Sequence, residues 1–272
     1  MLHSARIVVV GAGHMGGALV EGFLARGLDK TRLHVIDPAA KEKAKAWDVD
    51  WSADANGLAH APHVVIFAVK PQLMPSIAPA YARLAAPGCF FLSVAAGLAI
   101  DNFRTWLGAE ARVVRAMPNT PAAIGQGITA LVATDNLAIE QMALAEALMA
   151  CVGDTVWLSD ENLMDAVTAV SGSGPAYFFL LMEALEAAGV AQGLSSDVAR
   201  KLAVHTAAGA GALAKQRLFD QSPADLRVAV TSPNGTTAAA LHSFAADGFE
   251  TAVNRAVQAA VARGKQLRET AT

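Results

Sequence analysis

The chain has 272 residues, of which 54% are apolar and 17% charged, as in an ordinary globular protein of one or two domains. Its 24 acids and 21 bases give a formal charge of -3 without a basic run, so no nucleic-acid partner is expected. The two cysteines, Cys89 and Cys151, cannot form a disulfide framework or a metal cluster, which favours a reducing compartment and predicts no metal site.

The chain shows no signal for export or for a membrane. The N-terminus lacks a basic segment followed by an apolar stretch and a cleavage site. The most apolar run, residues 177–182, is stopped by Glu183 and Glu186 and is too short to span a bilayer. We therefore expect a cytoplasmic protein with no membrane partner.

The first half of the chain alternates short strand-like runs with helical stretches. Apolar or β-branched runs occupy residues 6–10, 33–36, 64–69, 89–94, 112–117, 128–132 and 155–158. The first few are apolar throughout, as expected when helices cover both faces of a parallel sheet. This alternation predicts an α/β domain with a Rossmann-type parallel sheet over residues 1–160.

The second half, residues 161–272, is predicted to be all-helical. Ser222, Pro223 and Asp225 form a typical helix start, and Gly193 and Gly248 suit helix ends. The segment 196–215 is rich in alanine and glycine on nearly every face, so such a helix must be covered. Since a domain of this size covers it most easily with a second copy of itself, we expect a homodimerisation domain.

A glycine-rich turn directly follows the first strand-like run. A complete G-x-G-x-x-G pattern at a strand-to-helix turn is typical of dinucleotide binding, with the phosphates at the helix N-terminus. The alternative is a tight turn without a ligand. The cofactor-binding residues predicted in this turn are Gly11, Ala12, Gly13, His14, Met15 and Gly16.

Asp37 follows the second run and can accept hydrogen bonds from an adenosine ribose. Its carboxylate would repel a 2′-phosphate, which favours NADH over NADPH, although Lys41 and Lys43 close behind can compensate. The alternative for Asp37 is a turn-forming role before Pro38.

Further cofactor-binding residues are predicted where later strands end, because open α/β sheets bind ligands at the carboxyl ends of their strands. Small residues there would let a flat ring lie close to the backbone, and prolines would fix the loops. The alternative interpretation of Lys70 is a solvated loop residue without a ligand. The predicted residues are Ala68, Val69, Lys70, Pro71, Ala95, Ala96, Gly97, Met117 and Asn119.

Residues 171–177 read Ser-Gly-Ser-Gly-Pro-Ala-Tyr inside an otherwise apolar helical stretch. Each glycine costs a helix about 1 kcal/mol and an interior proline about 3 kcal/mol, so a purely structural helix would not contain them. Something is expected to approach the backbone there; the alternative is a kink or a tight helix crossing.

The loop 231–237, Thr-Ser-Pro-Asn-Gly-Thr-Thr, precedes a helix. Its threonines can cap that helix, and a hydroxyl-lined helix N-terminus can also seat a small carboxylate. Neither this loop nor the segment 171–177 offers a lysine, a histidine near an acid or a cysteine pair. Such a site suits hydride transfer to a polarised C=N bond better than acid-base chemistry.

The chain resembles the pyrroline-5-carboxylate reductase family over essentially its whole length. The segments that carry the resemblance are the glycine turn, Ala68–Pro71, Ala95–Gly97 and residues 115–121, 171–177 and 232–237. The resemblance implies NAD(P)H-dependent reduction of 1-pyrroline-5-carboxylate to L-proline by a homodimer or a ring of dimers. It implies that Ser232, Gly235, Thr236 and Thr237 hold the substrate, with the Thr237 hydroxyl as the catalytic partner of the imine. Glu161 matches a position that contacts substrate in some relatives; its alternative is an acid at the start of a helix. The small residues Ser171, Gly172, Ser173, Gly174 and Pro175 are predicted to form one wall of the substrate site. Asn56 resembles a family cofactor contact, with its spacing shifted by one residue.

Three positions depart from the family pattern. His14 replaces an asparagine or glutamine, and Asn234 replaces a second glycine but tolerates positive φ. Asp37 stands where NADPH-preferring relatives carry serine or have an arginine nearby. Two alternatives stay open: a reductase of another cyclic imine acid, such as the six-membered homologue, and a dinucleotide-binding regulatory protein without catalysis.

Overall fold

The computed structural model describes residues 4–58, 60–85 and 88–270, which divide into two compact units. One unit contains the chain up to Ser173 together with the residues from Ala260 onward, and the other is Gly174–Ala259. The units part at Ser173, whereas a domain boundary at residue 160 remains a prediction from the change in sequence pattern.

The first unit is built on an eight-stranded sheet in the order β3-β2-β1-β4-β5-β6-β7-β8. Neighbouring strands are parallel except β6 and β7. The strands are β1 (Ile7–Val10), β2 (Leu33–Ile36), β3 (Asp50–Ser52), β4 (Val64–Phe67), β5 (Phe90–Ser93), β6 (Val113–Met117), β7 (Gly127–Ala133) and β8 (Gly153–Trp157).

The seven predicted strands are confirmed, with two differences. Strand β3 was not predicted, because its three residues Asp50, Trp51 and Ser52 form a short edge strand without an apolar run. The expectation of a parallel sheet is wrong for β7, which runs antiparallel to β6. The connection 118–126 is too short for the crossover that parallel strands require.

Both faces of the sheet are buried, which explains why the central strands are apolar throughout. Val9 pairs with Ile66 in one core cluster, and Val10 pairs with Phe67 in the other. The helices of this unit before residue 168 are α1 (His14–Ala25), α2 (Lys41–Trp47), α3 (Met74–Ile77), α4 (Ile100–Leu107), α5 (Ile139–Met149) and α6 (Met164–Val167).

A π-helical turn, Thr168–Gly172, follows α6 and contains the first residues of the small-residue segment. The backbone N–H of Ser173 donates to the carbonyl oxygen of Thr168 at 2.8 Å, five residues earlier. π-helical turns are rare and frequent at functional sites, so the predicted irregularity of this segment has a defined form.

The second unit is helical, and no strand follows β8 in residues 158–270 of the structure. The predicted start of α9 is confirmed: Ser222 and Asp225 form a reciprocal capping box. The last turns of α11 belong to the first unit. The helices from residue 174 onward are α7 (Gly174–Ala191), α8 (Ser196–Gln216), α9 (Pro223–Ala229), α10 (Thr236–Ala246) and α11 (Phe249–Thr270).

Helix α7 carries large apolar side chains that stay exposed in the single chain. Phe178, Phe179 and Leu180 are each more than 60% exposed. A contiguous apolar surface of this kind marks a contact with another molecule. No helix in the described part of the chain combines the length and the apolar character that crossing a bilayer requires.

Candidate active site

The glycine turn after β1 has the geometry that its sequence predicts. Gly11 has a φ of +95°, which permits the turn, and a Cβ on Gly16 would overlap the carbonyl oxygen of Gly11. A Cβ on Gly13 would meet nothing within 4 Å, so this residue faces open space at the start of α1. The three glycines therefore permit the turn, an open backbone and close packing of the helix, the geometry that is typical of a diphosphate-binding turn. His14 is exposed and Met15 half-buried in the first turn of α1.

Asp37 lies beside this turn and is fixed by it. Its Oδ2 accepts the backbone N–H of Ala12 at 2.8 Å, and its Oδ1 accepts the N–H of Ala39 at 2.8 Å. The Nζ of Lys43 donates to the carbonyl oxygen of Ala12 at 2.9 Å. A negative and a positive side chain thus both contact the backbone of Ala12.

A cavity of about 400 Å³ adjoins Gly11 and Asp37. Its walls include Pro38, Leu73 and the buried Tyr81, and burial, followed by the nearby charge of Asp54, raises the pKa of the Tyr81 hydroxyl. This volume suits a small planar ligand. Together with the open backbone at Gly13, it shows that the residues fit a dinucleotide. Asn56 is exposed beside the cavity, whose walls include Asp54 and Ala55 rather than Asn56.

The other predicted cofactor loops lie at the same edge of the sheet as the glycine turn, because they follow β4, which pairs in parallel with β1, and β5, which pairs in parallel with β4. Ala68 donates its N–H to Val10, while Lys70 is exposed and precedes a 3-10 helix that starts at Pro71. Gly97 has a φ of +74°. Val69 lines the cavity, and Ala95 is buried with Ala96 half-buried.

The end of β6 meets the small-residue segment within the first unit. Asn119 accepts the N–H of Ile128 on its Oδ1 at 3.0 Å and donates through its Nδ2 to the carbonyl oxygen of Ser171 at 3.2 Å. A Cβ on Gly172 would lie 2.7 Å from the Cε of Met117. The structure therefore brings together Met117 and Asn119, predicted for the cofactor, with Ser171 and Gly172, predicted for the substrate.

Glu161 is held by a buried arginine. Its Oε1 accepts from the Nη1 of Arg115 at 2.9 Å and from the backbone N–H of Ile100 at 2.9 Å. Arg115 is 2% exposed, and Glu161 is 26% exposed. No role was predicted for Arg115. The signal that could have found it is a lone arginine among the apolar residues of β6, because a buried arginine requires a partner.

The loop 231–237 belongs to the second unit. Gly235 donates its N–H to Ser232 at 3.1 Å, and Asn234 has a φ of +57°, as its place in the loop predicted. The N-cap of α10 is Gly235, so the expectation that Thr236 or Thr237 caps this helix is wrong. Both hydroxyls lie in the first turn of α10, with Thr236 exposed and Thr237 half-buried.

Ser173 ends the first unit, while Gly174 and Pro175 open α7 in the second. No cluster of three or more histidine, cysteine, aspartate or glutamate side chains that could hold a metal ion occurs in the described ranges 4–58, 60–85 and 88–270.

Comparison with known proteins identifies the family. A pyrroline-5-carboxylate reductase from Pseudomonas aeruginosa is 44% identical over 273 residues, covering 98% of this chain and 98% of the relative. The chain belongs to the pyrroline-5-carboxylate reductase family. A reductase of the same name from Mycobacterium tuberculosis is 42% identical over 290 residues, again with 98% of each chain covered.

Two family models match the chain, one in each half. Residues 161–267 match a model described as pyrroline-5-carboxylate reductase dimerisation, and residues 6–97 match one described as NADP oxidoreductase, coenzyme F420-dependent. The first match supports a homodimer, and the second agrees with an NAD(P)-dependent oxidoreductase. The family resemblance predicted from the sequence motifs is thereby confirmed.

Solved structures of pyrroline-5-carboxylate reductases have the same fold. The enzyme from Coxiella burnetii superposes with a TM-score of 0.92 at 34% identity, covering 97% of this chain and 98% of that chain. The Plasmodium falciparum enzyme, solved with NADP bound, gives a TM-score of 0.86 at 28% identity, with 98% and 100% covered. The predicted combination of a Rossmann-type domain and a helical dimerisation domain is confirmed.

Proposed function

We propose that this chain reduces 1-pyrroline-5-carboxylate to L-proline with NADH or NADPH, the last step of proline biosynthesis. The observation that carries the proposal is the 44% identity to a pyrroline-5-carboxylate reductase over 98% of both chains. The open glycine turn and its adjoining cavity provide a place for the dinucleotide in this chain.

In this reaction, a bound NADH or NADPH would supply the hydride to the carbon of the protonated imine, and the ring nitrogen keeps the proton that it already carries. The chain must then hold the substrate carboxylate and the ring nitrogen, which ends the step as an amine. We assign the carboxylate to the N-terminus of α10, where Gly235 is the N-cap and Thr236 begins the helix, together with Ser232 of the preceding loop. We assign the ring nitrogen to the Thr237 hydroxyl.

The segment from Ser171 to Pro175 is proposed as a wall of the substrate site. Its backbone is irregular, and the side chain of Asn119 and the tip of Met117 already reach Ser171 and Gly172. Small side chains there leave room for two stacked rings, which is the use that we propose for the irregular turn. We also propose that Glu161 contacts the substrate. The alternative to be tested is that Glu161 serves only to pair with Arg115.

We propose NADH as the preferred cofactor. The Asp37 carboxylate beside Ala12 would accept hydrogen bonds from a free ribose and repel a 2′-phosphate. Lys43, on the other side of Ala12, is the residue that opposes this preference.

We also propose that the functional assembly is a homodimer formed through the helical domain, with a ring of dimers as a larger form. The exposed apolar residues of α7 support such a contact. Light scattering coupled to size exclusion would give the subunit number. A monomer at assay concentration would contradict the proposal.

A coupled assay tests the activity. We expect loss of NADH absorbance only when 1-pyrroline-5-carboxylate is present, with proline as the product. Comparison of kcat/KM for the five-membered and six-membered imine acids tests ring size, since one methylene in a pocket changes binding by about 1 to 3 kcal/mol. A higher value for the six-membered ring would assign the enzyme to that substrate, and dinucleotide binding without turnover of either would indicate a regulatory protein.

A further inference from the structure

The short segment 161–167 in the first unit is held by two arginines from different elements. Arg115 of β6 contacts Glu161 at the start of the segment. Four residues later, the Oδ2 of Asp165 lies 3.0 Å from the Nη2 of Arg268 on α11. The Asp165 side chain is only 4% exposed, and a buried carboxylate depends strongly on its charged partner.

The last turns of α11 approach this segment unusually closely. A Cβ on Gly264 would lie 3.3 Å from the Oδ1 of Asp165, tighter than most contacts of a real Cβ. A side chain at position 264 would therefore require the Asp165 carboxylate or the helix to shift by a few tenths of an ångström. Glycine at this position lets Arg268, one helical turn later, reach Asp165.

The same turns of α11 also lie against the loop that follows β5. A Cβ on Gly97 would lie 3.5 Å from the Cβ of Leu267, within ordinary van der Waals distance. Just beyond this loop, the backbone N–H of Ile100 donates to Glu161. Residues 264–268 thus lie against the loop 95–97, and the segment 161–167 is hydrogen-bonded to the start of α4.

We infer that residues 264–268 of α11 are a positioning element for the dinucleotide, which they serve by fixing the loop 95–97 through Leu267 and the Arg268–Asp165 ion pair. The inference rests on the proposed function in one respect, the assignment of Ala95, Ala96 and Gly97 to the cofactor. Arg268 and Asp165 act through this loop and need not touch the ligand.

The test compares Arg268→Gln with Arg263→Gln in the full-length chain. Arg263 lies on the same helix, is exposed and contacts Gln266, so its change removes the same charge without touching Asp165. Two readouts need no turnover: amide hydrogen exchange of peptides covering 95–100, and the Kd for NADH from fluorescence titration. We expect faster exchange and a Kd raised by about tenfold in Arg268→Gln, with Arg263→Gln within about twofold of the parent.

Two further variants separate positioning from folding. Arg268→Lys keeps a cation for Asp165 and should restore both readouts, whereas Gly264→Val should reproduce the loss by displacing the helix. A lower Tm in Arg268→Gln and Gly264→Val with unchanged exchange and Kd, measured well below the Tm, would overturn the inference. Absence of turnover with any imine would instead count against the proposed function and leave these readouts unaffected.

Discussion

The Asp37 carboxylate and the backbone N–H of Ala12 are joined by a 2.8 Å hydrogen bond that links the end of β2 to the glycine turn after β1. Because Asp37 also accepts from the N–H of Ala39, the carboxylate cannot turn away from the glycine turn without losing two hydrogen bonds. The position of this carboxylate beside the glycine turn is therefore fixed.

Asp37→Ser should shift the cofactor preference toward NADPH, because it removes the charge that repels a 2′-phosphate. We expect the ratio of kcat/KM for NADPH to that for NADH to rise by about tenfold, equivalent to about 1.4 kcal/mol. Glu42→Gln, which removes an acid from the first turn of α2, is the control. An unchanged ratio in Asp37→Ser would show that this carboxylate does not face the ribose.

Thr237→Ala should lower kcat by about a hundredfold while the Kd for NADH stays within about twofold, because the hydroxyl is assigned to the substrate nitrogen. Thr237→Ser keeps the hydroxyl and should retain most of the activity. Ser243→Ala removes an exposed hydroxyl from the same helix and serves as the control. Equal loss of turnover and NADH affinity would assign Thr237 a structural role instead.

Glu161→Gln should destabilise the fold, because it removes the charge that faces the buried guanidinium of Arg115. Breaking such a pair costs about 2 to 4 kcal/mol, discounted here for the partial exposure of Glu161. The measurement is the Tm at a fixed protein concentration, since an oligomer's Tm depends on it.

The double variant Arg115→Met, Glu161→Gln leaves no unpaired charge and should regain part of the lost stability. A fall in kcat for Glu161→Gln with an unchanged Tm would contradict the structural role. It would instead support Glu161 as a substrate contact.

Neither cysteine should react with a thiol reagent in the folded protein. Burial raises the pKa of the Cys89 thiol to about 12 and also raises the pKa of Cys151, so the reactive thiolate is scarce at about pH 8. We expect both thiols to be titrated by Ellman's reagent only in concentrated guanidinium chloride. Stoichiometric labelling of the native protein would disprove the expected burial.

The parts of the molecule that local patterns encode were predictable from the sequence. Apolar runs identified the central strands because both faces of each are buried, and Gly11, Gly13 and Gly16 identified the turn because each has a distinct steric reason. Ser222 and Asp225 identified the start of α9 because a capping box lies within four residues.

Features that depend on distant parts of the chain were not predictable in the same way. β3 forms only because β2 offers it an edge, and the orientation of β7 follows from the length of a loop. The partner of Arg115 lies 46 residues away, and that of Asp165 lies on α11. No periodicity or spacing in the sequence predicts ion pairs between such distant residues.

The π-helical turn Thr168–Gly172 has a consequence for the length of this segment. Such a turn contains one residue more than the α-helical turn it replaces, and its hydrogen bonds span five residues rather than four. A single-residue deletion here would restore the ordinary α-helical register. The Ser171 carbonyl is available to Asn119 because Pro175, four residues later, has no N–H to donate, and a deletion would shift this carbonyl away from Asn119. The segment should therefore tolerate exchange among small side chains far better than any change in its residue count.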